Sequence, residues 1–251
     1  PRRTIQPDEY ISMAFKILIH TFRMIFGNLG QALRVSVGPY LILILGFAIL
    51  FGALSTMADS TVGVSPLMSL MFVVLFPLSL FVTAWVAVSW HRFILLEERA
   101  GLLPAVKGRP IWPYAGRAIL LGLLIALMAI PLLFLVGIIS SAVPFFAIPL
   151  FVVVMVILGF VGLKLGVSLV GTALGKPMKF GEVWNETDQI NNTIFGLVFL
   201  MVIINVLPSL IVAGIAAYIP IIGFVLNIVL NWISMMLGIS ILTTIYGHVI
   251  E

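Results

Sequence analysis

Cysteine is absent from the 251 residues, and only 9% of the chain is charged. The absence of cysteine excludes disulfides, thiolate metal sites and cysteine nucleophiles. The shortage of charge is the stronger constraint, because a soluble domain carries about 25% charged residues to cover its water-facing surface. With 62% hydrophobic residues and a mean hydropathy of +1.27, the chain is predicted to have the lipid bilayer as its solvent.

The short alternating segments of a membrane β-barrel are also missing, since the apolar runs are long and continuous. No polar insert is long enough to fold separately. We therefore predict an all-α fold, a polytopic membrane bundle of six transmembrane helices in three hairpins, preceded by an amphipathic interfacial helix. Residues 1–251 form one integral membrane domain, with the interfacial helix at 8–27 and spans at about 32–56, 66–90, 116–139, 145–165, 193–217 and 221–246.

The N-terminal helix is predicted from a single polar stripe. Polar residues recur every three or four positions, at Glu9, Ser12, Lys16, His20 and Arg23, and most of the other positions are apolar. Such a helix lies in the interface with its apolar side among the acyl chains. The alternative is a helix outside the membrane that packs on the bundle. No cleavable signal peptide is expected here, because the segment is amphipathic and has no short apolar core.

The distribution of charge predicts the orientation. With six spans, every Lys and Arg falls on one side of the membrane, and Asp59 is the only ionisable side chain on the other. The positive-inside rule makes the basic side cytoplasmic, so both termini are expected in the cytoplasm. The same rule accounts for the net charge of +4, so nucleic acid is not an expected partner.

The polar loop between the second and third spans holds the best candidate binding surface. Basic residues crowd into this loop, and Trp and Tyr lie at its edges, as is typical at the level of the lipid headgroups. We predict a belt for anionic headgroups, worth about 1 kcal/mol per basic residue near the surface. Its members are Trp90, His91, Arg92, Arg109, Trp112 and Arg117.

The fourth span contains two features of interest. Lys164 interrupts its apolar run, and the chain beyond is expected to be a cytoplasmic extension or an interfacial elbow. Before and after it, Gly159, Gly162 and Gly166 recur at helical spacing, which lets helices approach closely. Contact within the bundle, with a partner protein or with a second copy all remain open.

Four polar residues are predicted inside the membrane. Asn205 lies on the fifth span, and Asn227, Asn231 and Ser234 share one face of the sixth. One interpretation is interhelical hydrogen bonding, at about 0.6 kcal/mol per pair. The other is a polar path at the three asparagines, in a small transporter or channel. Because no ionisable residue lies mid-span, the usual machinery of ion coupling is missing.

An enzyme is not expected, since there is no nucleophile elbow and no phosphate-binding glycine loop. A membrane-embedded hydrolase or transferase would need His91, Glu97, Glu98 or Glu182 clustered around a substrate. The helix that contains Glu182 is instead interpreted as a solvated, ion-paired face. No metal or other cofactor is expected, because no histidines or carboxylates have the spacing of ligands. The expected function is non-enzymatic: lipid binding, or an accessory or assembly role in a membrane complex, with a homo-oligomer left open.

Two passages resemble a group of bacterial six-span proteins, the YciC type and the membrane domains fused to glycerophosphodiester phosphodiesterases. One passage is AWVAVSWHRFILL at 84–96; the other is GEVWNET at 181–187, followed by Asn191 and Asn192. The resemblance implies a multi-pass protein of the bacterial inner membrane and brings no activity with it. The soluble phosphodiesterase domain is absent, so its catalysis is not implied.

Overall fold

The computed structural model describes residues 7–57, 64–101 and 103–250, and within these ranges the fold is all-α. Six of its helices are long and apolar enough to cross a membrane. The predicted polytopic bundle is therefore confirmed. The helices are α1 Pro7–Gly27, α2 Leu29–Met57, α3 Val64–Leu96, α4 Ile111–Ala142, α5 Ala147–Ala173, α6 Phe180–Glu186, α7 Asn191–Tyr218 and α8 Pro220–Val249, with 3-10 turns at Pro144–Phe146 and Thr187–Ile190.

Each predicted span lies mostly within one helix, and two helices run clearly beyond the predicted ends. The helix α3 continues to Leu96 instead of ending at 90, and α5 continues to Ala173 instead of 165. The stretch after Lys164 is thus a straight continuation of α5, not an elbow. Prolines lie inside α2, α3, α4 and α7 without ending any of them, as is common in membrane helices, where neighbouring groups satisfy the freed carbonyls.

The helix order defines two ends of the bundle. At the charged end, α2, α4 and α7 begin and α3, α5 and α8 end, and both α1 and α6 lie there. At the turn end, Val143–Phe146 joins α4 to α5, and Ile219 alone separates α7 from α8. The third turn, with Asp59, lies outside the described residues. In the six long helices, each charged residue lies near the charged end of its helix, and Lys164, nine residues before the end of α5, is the furthest from that end.

The packed core lies toward the charged end. Buried positions are dense in α3 from Val82 to His91, in α5 from Leu165 to Ala173 and in α8 from Met236 to Tyr246. Toward the turn end the described parts of these helices expose most of their apolar side chains; Ile148 of α5 is 77% exposed. A bilayer tolerates this arrangement, because lipid tails are as apolar as the side chains and leave no hydrophobic drive for tight packing.

The helix α1 has three distinct sides. Ala14, Ile17, Leu18, Thr21 and Ile25 are buried against the bundle, where α1 packs on α7 and α8. A second side exposes Phe15, Ile19 and Phe26, and a third exposes Lys16, His20 and Arg23. Packing on the bundle and an exposed amphipathic surface therefore occur together in one helix, so the two alternatives suggested by the sequence are compatible.

The glycines of α5 face three other helices of the same chain. A Cβ added at Gly159 would meet Val198 Cγ1 of α7 at 2.8 Å, and one at Gly166 would meet Leu242 Cδ2 of α8 at 3.0 Å. Gly162 has more room, since its nearest neighbour is Ile125 Cδ1 of α4 at 4.0 Å. Within the described chain, these close approaches are contacts inside the bundle.

Candidate functional site at the charged end

Trp90 and His91 lie inside the bundle, because α3 extends past them to Leu96. Both side chains are fully buried. The Trp90 indole Nε1 donates a hydrogen bond of 2.8 Å to Ser240 Oγ of α8. The prediction that these two residues contact lipid headgroups is therefore wrong: the helix that presents them is covered by its neighbours, and their polar atoms bond within the protein.

His91 is the centre of a hydrogen-bonded chain between three helices. Its Nδ1 lies 2.8 Å from Thr243 Oγ1 of α8, and its Nε2 lies 3.4 Å from the Tyr114 hydroxyl of α4. The single hydroxyl proton of Thr243 is donated to the Ile239 carbonyl. Thr243 can therefore only accept from His91, which places a proton on Nδ1.

Arg92 and Arg109 share one carboxylate. Arg92 donates to Glu98 from Nε at 3.0 Å and from Nη2 at 2.7 Å, and Arg109 Nη1 donates to the same group. The third Arg92 donor, Nη1, bonds the Ala173 carbonyl at 3.0 Å, which is a favourable place for a cation at the end of α5. The bond from Arg92 lowers the pKa of Glu98 below its ordinary value; burial opposes this, and Arg109 adds to it.

Two hydrogen bonds connect the loop after α3 to the helices α3 and α2. Trp85 Nε1 donates to the Pro104 carbonyl at 3.2 Å, and Ala100 N donates to Gln31 Oε1 of α2 at 3.2 Å. Between the loop and the end of α3 lies a pocket of about 230 Å³. It is lined by Ser89, Arg92, Glu98, Arg99, Ala100, Gly101, Leu103, Pro104, Ala105 and Arg109. We call it the arginine pocket.

The last two members of the predicted belt differ in exposure. Trp112 is 69% exposed, and its ring is tilted against that of Phe81 with centroids 5.2 Å apart. Arg117 instead points toward the bundle, where its Nε donates to Ser168 Oγ at 3.2 Å and its guanidinium lies 5.1 Å from the centre of the Phe180 ring. Of the six belt residues, Trp112 is thus the one most open to the surroundings.

Sequence reasoning missed the ion pair of Lys164. The side chain is 1% exposed, and its Nζ donates to Asp188 Oδ1 at 2.5 Å and to Asn191 Oδ1 at 2.7 Å. It also lies 3.9 Å from the centre of the Trp184 ring, a cation–π contact. The available signal was a single lysine in an apolar run, because such a charge needs a carboxylate partner on a neighbouring element.

The intramembrane asparagines bond to their own helices. Asn205 Nδ2 donates to the Met201 carbonyl at 2.7 Å, and Asn231 Nδ2 donates to the Asn227 carbonyl at 2.8 Å and to its Oδ1 at 2.6 Å. The interpretation of interhelical hydrogen bonding is wrong for Asn205 and Asn231, because each side-chain amide donates to the backbone carbonyl four residues earlier in its own helix. An open groove of about 360 Å³ between α7 and α8 is lined by Asn227, but by neither Asn205 nor Asn231. Ser234, also on this span, is half-buried.

Three of the four residues named for an enzymatic alternative, His91, Glu98 and Glu182, have separate partners. His91 bonds within the core, and Glu98 holds two arginines. Glu182 accepts from the Lys179 backbone N–H at 2.9 Å and so caps α6.

The fold and the charged end define a polytopic α-helical membrane protein whose polar chemistry is confined to one end of the bundle. Comparison of the chain with protein-family models, curated proteins and solved structures finds no match. Membership of the six-span group stays a prediction from the two passages that resemble it.

Proposed function

We propose that this membrane protein binds anionic phospholipids at its charged end, without catalysing a reaction, in the bacterial inner membrane with that end in the cytoplasm. The surface of α1 is the observation on which the proposal rests. One side of α1 is fixed to the bundle, and the exposed remainder divides into an apolar stripe and a basic stripe. A helix with this division lies at a headgroup layer, with apolar side chains among the acyl chains and cations among the phosphates.

The charges and rings around α1 support the same surface. Lys16 and Arg23 are exposed on the basic stripe, next to Phe15 and Ile19 on the apolar one. Each basic residue near an anionic surface is worth about 1 kcal/mol. The exposed indole of Trp112 adds an anchor of the type found at membrane interfaces.

Electron paramagnetic resonance with spin-labelled lipids tests the proposal. The protein is reconstituted into a zwitterionic bilayer, and the relative association constants of labelled anionic and zwitterionic lipids are measured. We expect anionic lipid to be preferred, and the preference to fall in high salt and in the variant Lys16→Gln/Arg23→Gln. The control Lys16→Arg/Arg23→Lys keeps the charge and should keep the preference. Equal association constants for both lipids with the unmodified protein would reject the proposal.

A second candidate function, assembly with another copy of the chain, is favoured by the exposed asparagines of α8. At 1.5 Å per residue, Asn227 and Asn231 lie about 10 and 16 Å along α8 from the turn end. Both are exposed. Among the described residues, Asn227 Nδ2 and Asn231 Oδ1 have no hydrogen-bond partner, so each copy offers one donor and one acceptor. A two-fold related copy would supply both partners.

The oligomeric state in mild detergent tests this second candidate. We expect a dimer by sedimentation equilibrium, weakened in the variant Asn227→Leu/Asn231→Leu. Asn205→Leu is the matched control, because it removes an intramembrane amide that already bonds its own helix. A monomer at every protein concentration would exclude self-assembly through α8.

A further inference from the structure

The arginine pocket has an excess of positive charge. Arg92, Arg99 and Arg109 line it together with a single carboxylate, Glu98. Since three arginines and one carboxylate are among the lining residues, the lining has two positive charges more than negative ones. A cavity so lined raises the local concentration of anions.

The donors of the three arginines are not equally occupied. Each nitrogen of Arg92 already donates to Glu98 or to Ala173, so Arg92 serves to hold the carboxylate in place. Arg109 uses only Nη1, and its Nε and Nη2 have no partner among the described residues. The guanidinium of Arg99 makes no hydrogen bond or ion pair within the described part of the chain. Both residues line the pocket and therefore have donors there that the described part of the chain does not use.

The size and rim of the pocket limit what can bind. Its volume of about 230 Å³ is below the 300–1,000 Å³ of pockets that enclose a whole drug-sized ligand, so it suits a small anionic group. Leu103, which lines the pocket, is 58% exposed, and Leu96 and Val106, which are close to lining residues in the chain, are exposed too. Exposed apolar side chains beside an anion pocket fit a ligand with a charged head and apolar chains.

We propose that the arginine pocket binds a phosphate group, supplied by the headgroup of a membrane phospholipid, through Arg99 and Arg109. Arginine suits this ligand because its planar fork donates two parallel hydrogen bonds to phosphate oxygens. Glu98 aligns Arg109 and leaves enough positive charge to neutralise one phosphate. This site rests on the proposed function and deepens it, since it names one bound lipid in addition to the general attraction of α1 for an anionic surface.

Isothermal titration calorimetry of the whole protein, delipidated in a neutral detergent, tests the pocket. The probes are phosphatidic acid, phosphatidylglycerol, phosphatidylcholine and inorganic phosphate. We expect one saturable site for the two anionic lipids, with affinity reduced about tenfold or more in Arg99→Gln, because a charged hydrogen bond contributes about 1.5–3 kcal/mol. The matched control is Arg34→Gln, which removes an exposed charge of α2 outside the pocket and should bind as the unmodified protein does.

The outcomes distinguish a lipid headgroup from free phosphate as the source of the bound group. They also distinguish failure of the pocket from failure of the proposed function. Saturable binding of inorganic phosphate that Arg99→Gln abolishes would support the phosphate site with free phosphate as its source. Unchanged lipid affinity in Arg99→Gln, or equal losses in Arg99→Gln and Arg34→Gln, would overturn the pocket. If the spin-label preference for anionic lipid persists in that case, the proposed function survives the loss of the pocket. Lack of that preference in the unmodified protein rejects the proposed function, whatever the titration gives.

Discussion

At the scale of single residues, the buried ammonium of Lys164 ties α5 to the start of α7. Its partner Asp188 is 55% exposed, whereas Lys164 itself is 1% exposed. The two partners are therefore not equivalent. A half-exposed carboxylate that loses its cation can be solvated, but a buried ammonium that loses its carboxylate cannot.

This difference in exposure predicts which of two substitutions destabilises the protein more. Asp188→Asn should destabilise the protein, since it leaves the buried Lys164 ammonium without its counter-charge. Lys164→Met should cost less, and the double variant should be more stable than Asp188→Asn alone. Thermal unfolding in detergent measures all three. If Lys164→Met proved the most damaging, the ammonium would have a role that the ion pair does not explain.

A second prediction at this scale concerns pH. The pKa of Glu98 is lowered in the folded protein by Arg92 and Arg109, so its contribution to stability is complete above the pKa of a free glutamate, about 4.3. The contribution is lost as the pH falls through the lower folded pKa. We expect the melting temperature of the unmodified protein to fall more steeply below about pH 4.3 than that of Glu98→Gln. Parallel pH profiles for the two proteins would contradict the assignment.

The positions of some single residues could be predicted from the sequence, and those of others could not. Arg109 could be placed in the polar loop from the clustering of basic residues, whereas Arg92, expected in the same loop, lies on α3. Trp112 is exposed as an interfacial tryptophan should be. Trp90 and His91 could not be placed, because their burial depends on Ser240 and Thr243, about 150 positions later in the chain. No local pattern contains that pairing.

At the scale of elements, the close approach of α5 to its own C-terminal loop predicts a sensitive glycine. A Cβ on Gly171 would lie 2.6 Å from the backbone carbonyl oxygen of Lys176, whereas one on Gly162 would lie 4.0 Å from the nearest atom, the end of the flexible Ile125 side chain. Gly171→Ala must therefore shift backbone and should lower the melting temperature. Gly162→Ala should be neutral or stabilising, because alanine favours helix by about 1 kcal/mol over glycine.

Melting temperatures of the two alanine variants in one detergent check this prediction. Equal losses in both would mean that Gly162 is as tightly packed as Gly171, against the distances observed. For the larger change Gly162→Leu, damage to folding or assembly is still expected, since a leucine side chain reaches well beyond the space in front of Ile125.

The existence of the elements was predictable, and their ends were less so. Long apolar runs identify the six spans, because only helices of about 20 residues satisfy the backbone within lipid. The helices α3 and α5 continue beyond the predicted ends of their spans, at which polar residues such as His91 and Lys164 are interpreted as marking the membrane surface. In the fold, neighbouring helices supply polar partners, and the helices continue past them.

At the scale of the whole molecule, the two ends of the bundle differ in packing and in polar contacts. The charged end has a packed core, bonded polar groups and the arginine pocket, while the turn end leaves apolar side chains and two asparagines of α8 exposed. The charge asymmetry and the even number of spans were predictable from the sequence. The contrast in packing was not, because hydropathy is high throughout the spans and does not distinguish lipid-facing from buried positions.

The central claim is that the charged end selects anionic lipid. Its most direct test is to release the protein gently from its own membranes and to compare, by mass spectrometry, the lipids that remain bound with those of the bulk membrane. We predict enrichment of anionic phospholipids in the bound fraction, reduced by high salt and in Lys16→Gln/Arg23→Gln. Bound lipids with the composition of the bulk membrane, unchanged by salt or by these substitutions, would contradict the claim.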